Sequence, residues 1–259
     1  MPTALVTGSS SGIGLELATL LARDRHDLVL VARGRDRLEA IARGLAEEFG
    51  IRATVLAADL ARPEAPDEIA RELSARGITV DVLVNNAGFG LLGPFGEAPL
   101  DRVLGMIQVN VAALTHLTRL LLPGMLERRS GRILNLASTA SFQAGPLMAV
   151  YYATKAYVLS FSEALGNETA GTGVTVTALC PGPTRTEFQK SAGMEATALF
   201  RGPLVMDAAT AARAGYDGMR RGDRIVIPGV ANRILVQALR VTPRRLATAI
   251  ARRLQERRR

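Results

Sequence analysis

The chain has 259 residues, 48% hydrophobic and 22% charged, enough for a full core in one large domain or two small ones. Its formal charge of +8 is uneven: nine arginines and one glutamate lie from Asn232 onward, so residues 1–231 are near neutral and the body does not suggest nucleic-acid binding. Cys180 is the only cysteine, which excludes an intrachain disulfide and fits a reducing compartment; with only His26 and His116 beside it, no metal site is expected.

Met1 to Thr7 runs straight into a glycine cluster, with no secretory signature, and no apolar run reads as approaching the about 18 residues of a membrane span. A cytoplasmic location is expected. Ala4–Thr7 is a short buried strand that stops at Gly8-Ser-Ser-Ser-Gly-Ile-Gly14, and Leu15–Arg23 then has helical periodicity. A strand, a glycine turn and a helix N-terminus together make an anion site, because free N–H groups and the helix dipole point to one place. Gly8, Ser10, Ser11, Gly12, Ile13 and Gly14 are its candidate residues. The same loop also satisfies G-x-S-x-G, the nucleophile elbow of serine hydrolases, with Ser10 as nucleophile. Against that reading, no earlier strand supplies an oxyanion hole, and His116, the farther of the two downstream histidines, sits in an apolar helical run.

Asp27–Ala32 is a second strand, ending where a dinucleotide site meets the adenosine ribose. The residue after it is Arg33, not an acid, and a guanidinium suits a 2′-phosphate, so NADP(H) is favoured over NAD(H). Arg35 and Arg37 are candidate helpers. A helix to about Glu48 follows, then strand Ala53–Ala58 ending at Asp59-Leu60, a helix to Arg76 opened by Pro63 and Pro66, and strand Asp81–Val84 ending in Asn85-Asn-Ala-Gly88. The carboxyl ends of such strands are where α/β sheets hold ligands. From about Asp101 to Arg129 a long helix is expected, with Asn110 alone in an apolar run. An interior asparagine is unfavourable in a helix, so it is either exposed or has a polar task.

Gly131–Ala137 reads as a buried strand ending at Ser138, and Tyr151–Leu165 as a helix without Gly or Pro apart from its flanks. Tyr151 and Lys155 are four apart and share one helix face. An ammonium beside a phenol should lower a pKa that starts near ~10, tuning it for proton transfer. Of 32 cationic residues only Lys155 and Lys190 are lysines, so a slim ammonium here is a departure from the chain's habit. Strand Val174–Leu179 leads into Cys180-Pro-Gly-Pro-Thr-Arg-Thr186, with Cys180 expected to pack. Glu187–Met206 is irregular and apolar (Phe188, Met194, Leu199, Phe200, Leu204), a candidate lid. Helix Asp207–Arg220 and strand Arg224–Ile227 complete an alternation that calls for a doubly wound parallel sheet of about seven strands in one domain.

Taken in order, Thr7-Gly-x3-Gly-x-Gly14, Asp59, Asn85-Asn-Ala-Gly88, Asn110, Ser138, Tyr151-x3-Lys155 and Pro181-Gly182 resemble a short-chain dehydrogenase/reductase of the classical type, in its ketoacyl or broad-specificity branch. The resemblance covers residue 3 to about 229. Ser138 stands thirteen residues before Tyr151, as in the family pattern, which selects Tyr151 over Tyr152. It implies a Rossmann fold and a hydride transfer between NADP(H) and a carbonyl or alcohol. Tyr151 is then the general acid/base, Lys155 lowers its pKa and holds the nicotinamide ribose, Ser138 orients the substrate oxygen, and Asn110 anchors a relay water. The glycine loop would cradle the pyrophosphate, Asp59 and Leu60 flank adenine, and Asn85, Ala87 and Gly88 line the ribose. Pro181, Gly182, Thr184 and Thr186 would close over the nicotinamide. Thr184 stands where the family usually has Val or Ile. A small apolar substrate is expected, with Phe89, Leu91, Leu92, Phe95, Phe142, Leu147 and Met148 as candidate lining, and a homo-oligomer is expected by resemblance. A catalytically silent NADP-binding sensor is the runner-up.

The ending departs from the family's common Gly-rich one. Residues 231–259 read as a basic, amphipathic tail of two helices, the second with Thr242 as N-cap and Pro243 as first residue. Ile234, Leu235, Ala238 and Leu239, then Leu246, Ala249, Ile250 and Leu254, form apolar stripes beside arginines. They pack on the body or a second subunit, or they meet anionic lipid, which would make the protein membrane-peripheral.

Overall fold

A computed structural model describes residues 1–194, 197 and 205–256. Its strands β1 (Thr3–Thr7), β2 (Asp27–Ala32), β3 (Ala53–Ala57), β4 (Val82–Asn85), β5 (Gly131–Leu136), β6 (Val174–Leu179) and β9 (Ile225–Val226) form one sheet in the order β3-β2-β1-β4-β5-β6-β9. Every pairing in it is parallel. A second, two-stranded pairing, β7 (Thr184–Arg185) with β8 (Met206–Asp207), was not foreseen from sequence.

Side chains alternate across each strand, and the core splits accordingly. Ala4 and Val6 of β1, Leu28 and Leu30 of β2, and Val82 and Val84 of β4 pack one face, against α1 (Gly12–Arg23), α2 (Arg35–Phe49) and α8 (Ala208–Arg221). Leu5, Val29, Val31 and Leu83 pack the other, against α3 (Ala65–Ala75), α5 (Leu114–Glu127) and α6 (Ala149–Glu168). The chain runs outward from β1 to β3 and returns to β4, so the winding reverses between β1 and β4. A crevice opens there at the carboxyl ends of the strands.

Several expectations change in detail. The long helix is not uniform: α4 (Leu100–Ile107) passes through a π-helical turn at Gln108–Ala113 before α5. Asn110 lies in that turn and turns its amide out to other segments, which widens the helix locally. Contrary to the sequence reading, the run Leu100–Glu127 is long and apolar enough to cross a membrane by length and composition. Its buried Met106, Leu117 and Met125 lie in the core of this fold, as those of a layer helix do.

The last two helices are α9 (Val230–Val241) and α10 (Arg244–Gln255). Thr242 is not the N-cap of α10; its hydroxyl donates back to the Ala238 carbonyl and closes α9. The cap position belongs to Pro243, whose carbonyl accepts from Leu246 and Ala247. The packed stripe also differs from the one read in sequence. Val236, Ala247 and Ala251 are buried with the polar Asn232 and Gln255, while Ile234, Leu235, Leu246, Ile250 and Leu254 are exposed. The expected lid falls largely on residues 195–204; Leu199, Phe200 and Leu204 lie outside the described residues, whereas Phe188 and Met194 are described and reach the cavity considered next.

Candidate active site

The turn after β1 requires glycine twice for different reasons. Gly12 has φ +56°, a left-handed backbone that side chains disfavour. A Cβ on Gly14 would lie 2.3 Å from the Gly8 carbonyl oxygen, so only glycine lets α1 start this close to the strand. Ser11 caps α1 without a side-chain cap bond, and the first turn carries no acid, which leaves the helix N–H groups free for an anion. The hydroxyl of Thr7 accepts from the backbone N–H of Asn86 and of Ala87, each at 3.0 Å. The Asn86 amide donates to Thr7 O at 2.9 Å and Gly8 O at 3.1 Å. Strand end, glycine turn and the Asn85–Gly88 segment are thus one fixed edge.

Above that edge lies a cavity of about 1070 Å³. It gathers Gly8, Ser10, Ser11, Gly12 and Ile13; Arg33 at the end of β2; Asp59 and Leu60 after β3; and Ala87 and Gly88 after β4. Ser138, Tyr151, Lys155, Pro181, Gly182, Thr184 and Thr186 complete the sequence-read set. Three of that set lie outside the lining. Gly14 is packed beneath the turn. Asn85 is 3% exposed and donates to Thr118 Oγ1 at 3.0 Å and Asn135 Oδ1 at 2.9 Å, under the sheet end. Asn86, its neighbour, lines the cavity instead. Adjacent residues of a strand point to opposite faces, so only one of the two amides faces the cavity. Asn110 is buried too; its amide donates to Phe89 O (3.0 Å) and Thr154 Oγ1 (3.1 Å), and its oxygen accepts from Phe89 N (3.1 Å). It fixes the Gly88–Phe89 backbone and does not line the cavity.

Of the candidate substrate residues, Phe89 and Met148 line the cavity, and Phe95 lies on a separate groove with Ile107 and Ala153. Residues that the sequence reading did not assign to the site also appear: Glu187, which pairs with Arg37 at 3.1 Å across the cavity rim, and Asn232, Leu235, Ala251 and Leu254 from α9 and α10. Among the polar residues of α9, Asn232 is the buried one, and its place at the start of the helix was the only cue.

The chemistry sits where β5 ends and α6 begins. Ser138 Oγ accepts from Ala140 N at 3.1 Å, donates to Pro181 O at 3.4 Å, and stands beside the Tyr151 hydroxyl. Lys155 Nζ donates to Leu136 O at 2.6 Å and lies 5.8 Å from the centre of the Tyr151 ring. The expected depression of the phenol is not what the Tyr151 surroundings produce. Burial pushes the Tyr151 hydroxyl up from its ordinary value, and the neighbouring Ser138 hydroxyl only partly opposes this. Burial also pushes Lys155 down, to about 8. The two groups are desolvated together, and the ammonium is turned to a carbonyl rather than to the phenol. Cys180, fully buried at the end of β6, is pushed up to about 12 by the same burial and is packing, as expected.

The glycine turn, the free helix end and the crevice form a cradle fitted to a dinucleotide, and a Cβ on Gly12 would come within 3.0 Å of the Thr186 side chain across the groove. Comparison with known proteins agrees with this architecture. A very-long-chain 3-oxoacyl-CoA reductase of Rattus norvegicus is 38% identical over 182 residues, 69% of this chain and 58% of that protein. The chain therefore matches only about three-fifths of the length of such curated relatives. A short-chain dehydrogenase from Sphingobium yanoikuyae, solved in complex with NADPH, superposes with TM-score 0.83 at 35% identity, covering 93% of this chain and 94% of that one. A bulky-bulky ketone specific alcohol dehydrogenase from Comamonas testosteroni gives 0.79 at 33% identity, covering 93% and 92%. With residues 2–196 matching the family model described as short chain dehydrogenase, this chain belongs to the short-chain dehydrogenase family of oxidoreductases.

Proposed function

We propose that the protein is an NADP(H)-dependent reductase of an apolar ketone, aldehyde or acyl carbonyl, working in either direction. One observation carries the reading: Ser138, Tyr151 and Lys155 stand on one wall of the cavity that the glycine turn closes at its other end. A nicotinamide dinucleotide bound along the glycine turn would supply the hydride chemistry at the carbonyl carbon, in either direction. The Ser138 hydroxyl donates to the substrate oxygen as negative charge builds there. Tyr151, held protonated by its burial, passes its proton to the same oxygen. Lys155 keeps a positive charge nearby at neutral pH, with Leu136 O holding its Nζ in place. Asn110 keeps the Gly88–Phe89 edge of the cavity rigid.

For the cofactor, no acid ends β2, and Arg37 is already engaged by Glu187. Arg33 has no described partner and lines the cavity, which favours a 2′-phosphate. The NADPH in the Sphingobium relative supports this choice. For the substrate, a 3-oxoacyl chain and a bulky ketone, named for two relatives, share a carbonyl inside an extended apolar body. The test is NADPH oxidation over aliphatic, aromatic and β-ketoacyl carbonyls. Tyr151→Phe should lower turnover by about 10²–10⁴-fold with NADPH affinity kept. Near-normal turnover in that variant would overturn the assignment; NADPH binding with no turnover of any carbonyl by the unmodified protein would favour a sensor.

The outer face of α9 and α10 sets exposed Ile234, Leu246 and Ile250 among Arg233, Arg245 and Arg253. We propose a peripheral contact with anionic lipid there. Co-sedimentation with phosphatidylserine vesicles should fall in Arg245→Glu/Arg253→Glu; equal sedimentation of both proteins removes the contact.

A further inference from the structure

The segment that departs most from the family's common ending reaches into the site, through side chains that sequence reading placed elsewhere. Ala251 and Leu254 of α10 and Leu235 of α9 line the same cavity as Tyr151 and Ser138. Ala251 is 2% exposed, while Leu235 and Leu254 are 40% and 41% exposed, as befits a wall running from the interior out to the mouth.

This hairpin is pinned at two points. On α9, the Asn232 amide donates to Pro228 O at 2.9 Å and lies against Gly182, where a Cβ would come within 2.6 Å of the amide. On α10, Gln255 is 1% exposed and donates its amide to the Tyr152 hydroxyl. A buried carboxamide is costly unless bonded, and the Gln255 oxygen has no partner among the described residues. That leaves the phenol as the group this glutamine serves. Tyr152 is clamped on its other sides: its ring lies against Gly145, where a Cβ would come within 2.3 Å, and packs with Met148, Ala192 and Met194. Its ring meets the Tyr151 ring edge-on, with centres 6.1 Å apart at 76°. The position of α10 is therefore passed through one hydrogen bond and one ring contact to the proposed acid.

We propose that the α9–α10 hairpin is the specificity wall of the substrate cavity. Ala251 and Leu254 limit the bulk of the apolar group that the cavity accepts, and Gln255 is a positioning residue that holds Tyr152, and through it Tyr151, in place. The proposal deepens the carbonyl-reductase reading above and rests on it for its substrate class.

The wall is tested with Ala251→Leu and Leu254→Ala over a graded series of methyl ketones of increasing chain length. Ala251→Leu should lower kcat/KM for the longest ketones by about 10-fold or more relative to the shortest, with the loss in KM and NADPH affinity unchanged. Leu254→Ala should shift preference the other way, and because Leu254 is partly exposed it leaves folding intact where Ala251→Leu does not. A uniform change along the series in both variants overturns the wall. Displacement of anilinonaphthalene sulfonate by the same ketones reads their binding without turnover. Unchanged ketone affinity in both variants sinks the wall even if no ketone is reduced, whereas failure of the unmodified enzyme to reduce any of them strikes only the reading above.

For Gln255, the variant Gln255→Leu should lower kcat several-fold while KM for the shortest ketone stays put. In a Tyr152→Phe background the same substitution should add nothing, since the hydroxyl it serves is gone. Additive losses in that cycle, or a loss confined to KM, would reject the positioning role.

Discussion

Where the glycine turn closes the cavity, the groups offered to a ligand are largely backbone, and they come from residues close in sequence. Gly8 to Gly14 supply a turn, a helix end and their N–H groups within seven residues. At the substrate end the groups are side chains drawn from distant segments: Phe89, Met148, Tyr152, Ala251 and Leu254 are brought together only by packing. Backbone geometry admits few solutions, so the first end is stereotyped; side-chain walls can be exchanged residue by residue, so the second is where one member of a family can differ from another.

The largest effect expected on this contrast comes from the first end. Gly14→Val places side-chain atoms inside van der Waals contact of the Gly8 carbonyl and should abolish NADPH binding, while overpacking costs about 1–3 kcal/mol of stability. NADPH titration and thermal melts check it; a variant that binds normally would show that the turn is not rigid. Next in size, Arg33→Ser removes the guanidinium without a described partner and should weaken NADPH about 10–100-fold while sparing NADH, the range of a charged hydrogen bond. Equal loss for both cofactors would move the phosphate contact elsewhere.

The smallest effect concerns the boundary between the two ends, where Lys155 stands. Its pKa is lowered by burial from 10.5 to about 8, so the protein loses this charge as pH rises through about 8, while Tyr151, shifted upward, stays protonated. The kcat/KM for reduction should therefore be level below about pH 8 and decline above it. A break near 10.5 instead would mean that Lys155 is hydrated. The same shift bears on stability with a definite sign. Between pH 8 and 10.5 the unfolded chain binds the proton that the folded one has released, so this residue's penalty is full below 8 and is relieved as pH rises toward 10.5.

How far the sequence could be read follows from the same contrast. The strands Asp27–Ala32 and Val174–Leu179 have the bounds expected of them, because each is a short run rich in β-branched and aliphatic residues between turn residues. Tyr151 could be separated from Tyr152 by its spacing to Ser138, and the structure sets Tyr151 against Ser138 and Lys155 while Tyr152 turns to Gln255. Asn85 was misjudged for a local reason: in Asn85-Asn86 the motif says that amides stand at the strand end but not which one the pleat turns inward. On α9 and α10 the apolar stripe was read by hydrophobicity alone, and the packed face proved to include Asn232 and Gln255.

What the amino-acid order determined by itself was everything that depends on near neighbours: the alternation of strand and helix, the glycine turn, the four-residue step from Tyr151 to Lys155. What only the tertiary structure decided was what those groups meet. Burial raised the phenol and lowered the amine, a π turn aimed Asn110 at Phe89, and a hairpin some hundred residues beyond Tyr152 closed one side of the cavity. The reason is physical: local conformation is set by dihedral preference and short hydrogen bonds, whereas desolvation and contact belong to pairs of residues that chain order does not bring together.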